Sequence, residues 1–141
     1  MNIVLIGKIG SGVDEIAKRL TDYFRYETSD SDANELKVFV ADPATLRKMQ
    51  ADKDVEFVSF FISCGTYKRF RRCVDSGMDE ERVLTEIMTK AYRYDSIHVD
   101  FTVENEGEDS WASVTEILKR VKDVVDCSHQ SSTKLESFPQ A

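Results

Sequence analysis

The first fourteen residues constrain this chain more than any other stretch. Asn2 to Ile6 is an apolar run, Gly7-Lys8-Ile9-Gly10-Ser11-Gly12-Val13-Asp14 is rich in glycine, and Val13, Ile16, Ala17, Leu20 and Phe24 then recur at helical spacing. An apolar run of this kind predicts a parallel strand buried on both faces. The spacing after it predicts an amphipathic helix. Between the two, glycines let successive backbone N–H groups converge on one anion, and the helix N-terminus adds its partial positive charge. The same glycines would also serve an ordinary strand-to-helix turn. The candidate anion-binding residues here are Gly7, Lys8, Gly10, Ser11, Gly12 and Asp14.

Further along, strands and helices alternate. Residues 26 to 35 (YETSDSDANE) hold four acids and no base and are expected to form a linker or mobile loop. Val38 to Ala41 predicts a short strand, and Asp42-Pro43 a helix start, with Asp42 at the N-cap and Pro43 at the first helical position. Val55 to Ile62 predicts a fully buried strand. Thr66 is expected to cap a basic helix ending near Gly77, and Asp79 another carrying Val83, Leu84, Ile87, Met88 and Ala91 on one face. Ile97, Val99, Phe101 and Val103 alternate with polar residues, which predicts an edge strand over 96 to 103. Trp111, Val114, Leu118, Val121 and Val125 mark a last helix. Trp111 and Phe60 are expected in the core. His98 has no partner in sequence and is given no chemistry. Residues 127 to 141 are Ser-rich without periodicity, so a domain over 1–126 with a disordered tail over 127–141 is expected. The pattern predicts an α/β domain with a parallel sheet.

Composition narrows the function classes. The chain has 141 residues, enough for one domain. With 19 basic and 26 acidic residues its net charge is −7. General nucleic-acid binding and anionic-membrane binding both need a cationic face, so neither is expected. Cys64, Cys73 and Cys127 form no CxxC pair, and an odd number in a small chain predicts free thiols in a reducing compartment. No apolar run approaches the ~20 residues of a membrane span, and the N-terminus lacks a basic leader. A cytoplasmic protein is expected.

The phosphate-loop motif is G-x-x-x-x-G-K-[ST], its Lys reaching the β/γ-phosphates and its hydroxyl the Mg²⁺. Here Val13 takes the Lys position and Asp14 the Ser/Thr position. With a buried strand before and an amphipathic helix after, GKIGSGVDE resembles the loop of the P-loop nucleoside-monophosphate kinases. Guanylate kinase and the bacteriophage deoxynucleoside-monophosphate kinases are the members most similar, the latter with a GKxGSGKDT pattern. The resemblance runs in order to about residue 125, through Val38 to Leu46, Phe57 to Ile62, Tyr67 to Arg72, Asp79 to Val83 and Phe101 to Asn105. It implies a P-loop NTPase fold, a parallel sheet flanked by helices with spatial order second, first, third, fourth strand. It further implies ATP and Mg²⁺ as cofactors if nucleotide binding is retained, Arg69 and Arg72 as lid arginines on the ATP phosphates, and Asn105 in the loop beside adenine.

Two departures bear on activity. The loop lysine is absent, and Glu15 adds negative charge nearby. The segment that binds the monophosphate in the family is reduced to residues 26 to 36, mostly acidic. Lys8 either swings toward a phosphate or points to solvent. Lys68, Arg69, Arg71 and Arg72 form either a residual anion site or a solvated helix face. Asp42 is either a Mg²⁺-organising carboxylate or a plain N-cap. The acidic clusters, with Asp30, Asp32 and Glu35 in one and Glu106 and Asp109 in the other, are solvated surface or a face for a basic protein. The favoured expectation is a catalytically degenerate kinase homologue acting by protein binding, as a regulator or a viral inhibitor of a host protein. A nucleotide-binding module without turnover, and an active (deoxy)nucleoside-monophosphate kinase using a non-standard loop, are the alternatives.

Overall fold

A computed structural model describes residues 1–27 and 36–137. In chain order the elements are β1 (Asn2–Gly7), α1 (Val13–Glu27), β2 (Lys37–Val40), α2 (Pro43–Ala51), β3 (Phe57–Ser63), α3 (Thr66–Asp75), α4 (Glu80–Lys90), a 3₁₀ turn (Ala91–Tyr94), β4 (Phe101–Glu104) and α5 (Trp111–Ser137). The four strands form one sheet in the order β2-β1-β3-β4, with every neighbouring pair parallel. This is the α/β class and the strand order that the resemblance implies. Asn2 lies opposite Lys37 on one side and Phe57 on the other, and Phe60 lies opposite Phe101.

The apolar run of β1 divides its side chains between two cores, because alternate residues of a strand face opposite sides. Ile3 and Leu5 join Val58, Phe60, Ile62 and Val103 against Ile16 and Leu20 of α1 and Val114, Ile117 and Val121 of α5. Val4 and Ile6 face the other way, onto Ala41 and Leu46, with Phe61, Tyr94, Ile97 and Val99 packed around them. Helices α1 and α5 therefore cover one face. Helix α2 and the segment 94–99 cover the other.

Several expectations are corrected at this level. The edge strand predicted over 96 to 103 begins only at Phe101. The Ser59 N–H that a longer ladder would use donates instead to Asp100 Oδ2 at 2.8 Å, and the His98 carbonyl accepts from Gln50 Nε2 at 2.6 Å. At Asp100 one backbone bond to β3 remains, its N–H donating to the Ser59 carbonyl at 3.1 Å, while side chains take the other groups. Val55 lies outside β3, in a turn closed by its N–H donating to the Asp52 carbonyl at 3.3 Å. Gly65, not Thr66, is the N-cap of α3, and Thr66 is the first helical residue. Asp79 does cap α4, accepting from the Arg82 N–H at 3.2 Å. Trp111, expected in the core, is 54 % exposed, with the Arg19 guanidinium 4.3 Å from its ring centroid. Residues 127–137, expected as a disordered tail, continue α5. Extending a helix already anchored by packing avoids the nucleation penalty, so an apolar stripe is not required there. The acidic segment with Asp30, Asp32 and Glu35 lies outside the described residues.

Candidate functional site

The C-terminal ends of β1, β2, β3 and β4 meet at one edge of the sheet, where ligands of open α/β sheets bind. Residues from the ends of β1 and β2, together with residues of α1, α3, the 3₁₀ turn and the loop after β4, line a cleft of about 810 Å³. The β1–α1 loop forms its floor. Ser11 N–H donates to the Lys8 carbonyl at 3.0 Å, closing the loop on itself, and Gly10 and Gly12 adopt φ 79 and 85. Ile16 N–H to Gly12 O at 3.1 Å is the opening bond of α1, which leaves the N–H groups of its first turn without intrahelical partners. Gly7, Lys8, Gly10, Ser11, Gly12 and Asp14 all line the cleft, as does Asp42.

Val13 belongs to the main core and is only 8 % exposed. An apolar side chain therefore stands, turned inward, where the motif requires the phosphate-binding lysine. Ser11 is also enclosed at 1 % exposure, and among the described residues its hydroxyl is a buried polar side-chain group without a partner.

Arg69 and Arg72, expected as arginines reaching for ATP phosphates, are turned onto backbone carbonyls instead. Arg69, 5 % exposed, donates to Ile9 O and Cys64 O at 3.3 and 3.2 Å, and to Thr66 Oγ1 at 3.3 Å. Arg72 donates to Gly10 O and Ser11 O at 3.3 and 3.2 Å, to Asn105 O and Gly107 O at 2.7 and 2.8 Å, and to Cys64 Sγ at 3.2 Å. Carbonyls at strand ends have no ladder partner, and a five-donor guanidinium can satisfy several at once. Both arginines brace the loop from behind. Asn105 does the same: its Nδ2 donates to Ser11 O at 2.8 Å while its Oδ1 accepts from Ser113 Oγ at 2.9 Å. At 2 % exposure it is enclosed rather than open to a base.

The carboxylates also have internal tasks. Glu15 accepts from Arg19 at 2.8 Å and from Ser110 Oγ at 3.1 Å, and the Arg19 bond holds its carboxyl below the usual glutamate range. Asp42 is the N-cap of α2, accepting the Thr45 N–H at 2.7 Å, and that bond lowers its pKa. Glu106 accepts the N–H of Gly65, the N-cap residue of α3, at 2.6 Å, and its backbone carbonyl accepts from Lys68 Nζ. Asp109 Oδ1 accepts the Trp111 N–H at 3.0 Å at the start of α5. Glu106 and Asp109, expected as exposed charge, are both exposed, and each also accepts one backbone N–H.

Lys8 points over Tyr94, with Nζ 5.9 Å from the ring centroid, and the Tyr94 hydroxyl donates to Gly7 O at 3.4 Å. Burial raises the Tyr94 pKa, and the Asp42 charge adds to the rise. Sequence reasoning missed Tyr94 and Ser113, since nothing local marks a residue that meets the loop from 87 positions away or steadies Asn105 from a helix. The cleft as a whole carries the carboxylates of Asp14, Glu15, Asp42 and Glu108 against Lys8 and Arg72. Among the described residues no group of three or more His, Cys, Asp or Glu is placed to hold a metal. The excess of carboxylates over cations disfavours a triphosphate, while a single anion on the loop N–H groups is compatible with it.

No known protein family and no curated protein matches the sequence. Solved structures do match the fold. An uncharacterised protein from Eubacterium ventriosum aligns at TM-score 0.62 and 16% identity, covering 87% of this chain and 98% of its own. Shikimate kinase from Aquifex aeolicus aligns at TM-score 0.53 and 14% identity, covering 89% and 98%. Shikimate kinase from Bacteroides thetaiotaomicron aligns at 0.51 and 13%, with the same coverage. This is a P-loop kinase-like fold. At these identities the likeness extends to the fold alone, and it does not single out guanylate kinase.

Proposed function

We propose that this chain is a catalytically degenerate P-loop kinase homologue, of the nucleoside-monophosphate-kinase type, that acts by binding rather than by phosphoryl transfer. The observation that carries this reading is Val13, packed in the core at the position of the loop lysine. Phosphoryl transfer rests almost wholly on positioning and electrostatic stabilisation of the moving phosphoryl. Here the cation is missing, both candidate arginines are tied to carbonyls, and acids outnumber bases around the cleft. A protein-binding role as a regulator, or as a viral inhibitor of a host protein, does not need turnover, and the net charge of −7 suits a basic partner. The test is a coupled assay for transfer from ATP to each (deoxy)nucleoside monophosphate. No turnover above background is expected. Turnover near the ~1 s⁻¹ of slow kinases, abolished in Lys8→Ala, would overturn the reading.

One observation favours a second reading, a nucleotide- or phosphate-binding module without turnover. The buried Ser11 hydroxyl lacks a partner in a loop that still offers backbone N–H groups to an anion. Phosphate or ATP titration followed by amide NMR checks it. Saturable shifts at Gly10 to Gly12 support it, and no shifts there reduce the loop to scaffold.

A further inference from the structure

A second, smaller cavity of about 230 Å³ opens behind Lys8, between the β1–α1 loop, α4 and the 3₁₀ turn. Its charge is opposite to that of the main cleft. Lys8, Arg69, Lys90 and Arg93 line it against Glu86 alone. Glu86 is paired with Lys90 at 2.7 Å, and that bond holds its carboxyl below the usual range, so it stays ionised and neutralises Lys90. The other three cations have no carboxylate partner among the described residues. Arg69 donates only to carbonyls and a hydroxyl, Lys8 rests over Tyr94, and Arg93 takes part in none of the ion pairs. The remaining walls are Ile9, Ile87 and the Tyr94 ring. In a chain of net charge −7, a concave surface with surplus positive charge and apolar walls is a specific feature. Low-dielectric walls focus the field of such a cluster into the cavity.

We propose that this cavity is a binding site for a small organic anion, one carboxylate or phosphate head on a compact apolar body. The head would lie among Lys8, Arg69 and Arg93, and the body against Ile87 and Tyr94. The volume lies below the ~300 Å³ at which drug-sized ligand pockets begin, which sets the ligand at fragment size and excludes a nucleotide. Lys8 and Tyr94 line both this cavity and the main cleft, so an anion here draws Lys8 away from the loop. The site does not depend on whether the loop itself binds anything.

Amide NMR of the full chain, titrated separately with phenyl phosphate, benzoate and inorganic phosphate, tests the proposal. The first two should shift Ile87, Lys90 and Tyr94 saturably, phenyl phosphate over benzoate if the site selects phosphate esters and the reverse if it selects carboxylates. Inorganic phosphate, with no apolar body, should bind there more weakly than either. Arg93→Ala should weaken the preferred probe by about tenfold, as loss of a charge-assisted hydrogen bond does. Arg93 is exposed, so its melting temperature should not change. Lys90→Gln, which frees Glu86, should weaken binding as well and guards against misfolding of the first variant. Shifts confined to Gly10–Asp14, no shifts at all, or affinity unchanged from the parent in both variants would overturn the proposal.

Discussion

Gly10 and Gly12 both sit at positive φ in the loop, yet they face different neighbours. A Cβ on Gly10 would meet the backbone carbonyl of Arg69, while one on Gly12 would lie 2.5 Å from the side-chain amide of Asn105. A backbone in mid-helix cannot retreat, whereas an amide can rotate and give up its bond to Ser11 O. Gly10→Ala is therefore expected to lower the unfolding free energy by about 2–4 kcal/mol, and Gly12→Ala by about 1–2 kcal/mol. Urea denaturation of the two variants measures the difference, and equal losses would show that Asn105 is as rigid as the α3 backbone. The need for glycine in this loop was legible in the first fourteen residues. The direction of Arg69 and Arg72 was not. Their loop acceptors lie 60 and 62 positions away, and a row of bases on a helix looks the same in sequence whether it faces phosphate, water or a carbonyl.

Elements whose start is set by adjacent residues were legible, and those set by distant side chains were not. Asp42-Pro43 marks the start of α2 in sequence and does so in the structure. The short β4 depends on Asp100 meeting Ser59 from 41 positions away, which an alternating pattern cannot reveal. The Asp42 cap has a consequence for pH. Its carboxyl is held below the ordinary aspartate range by the Thr45 N–H, so its charge contributes stability above the unfolded-state pKa. That contribution is lost as the pH falls through the folded-state value. Asn caps a helix about as well as Asp but carries no charge. Asp42→Asn should match the parent closely at pH 7 and lose less stability than the parent between about pH 5 and pH 2. Melting temperatures across that range check it, and parallel curves would count against the cap as the source.

At the scale of the molecule, the site edge is assembled from segments far apart in the chain and gathered under Arg72. Its partners lie 61 and 62 positions back in the β1–α1 loop and 33 and 35 positions forward beyond β4. Contacts between residues so far apart require closure of long loops before they return any free energy, so they form late in folding. The guanidinium is thus a lock that closes after β1, β3 and β4 have paired, and it acts on the way out of the native state rather than on the way in. Arg72→Ala should raise the unfolding rate and leave the refolding rate nearly unchanged, a φ-value near zero by stopped-flow chevron analysis. A slowed refolding limb would place Arg72 in the nucleus instead. On this account one guanidinium at the rim of the cleft sets how long the folded state lasts.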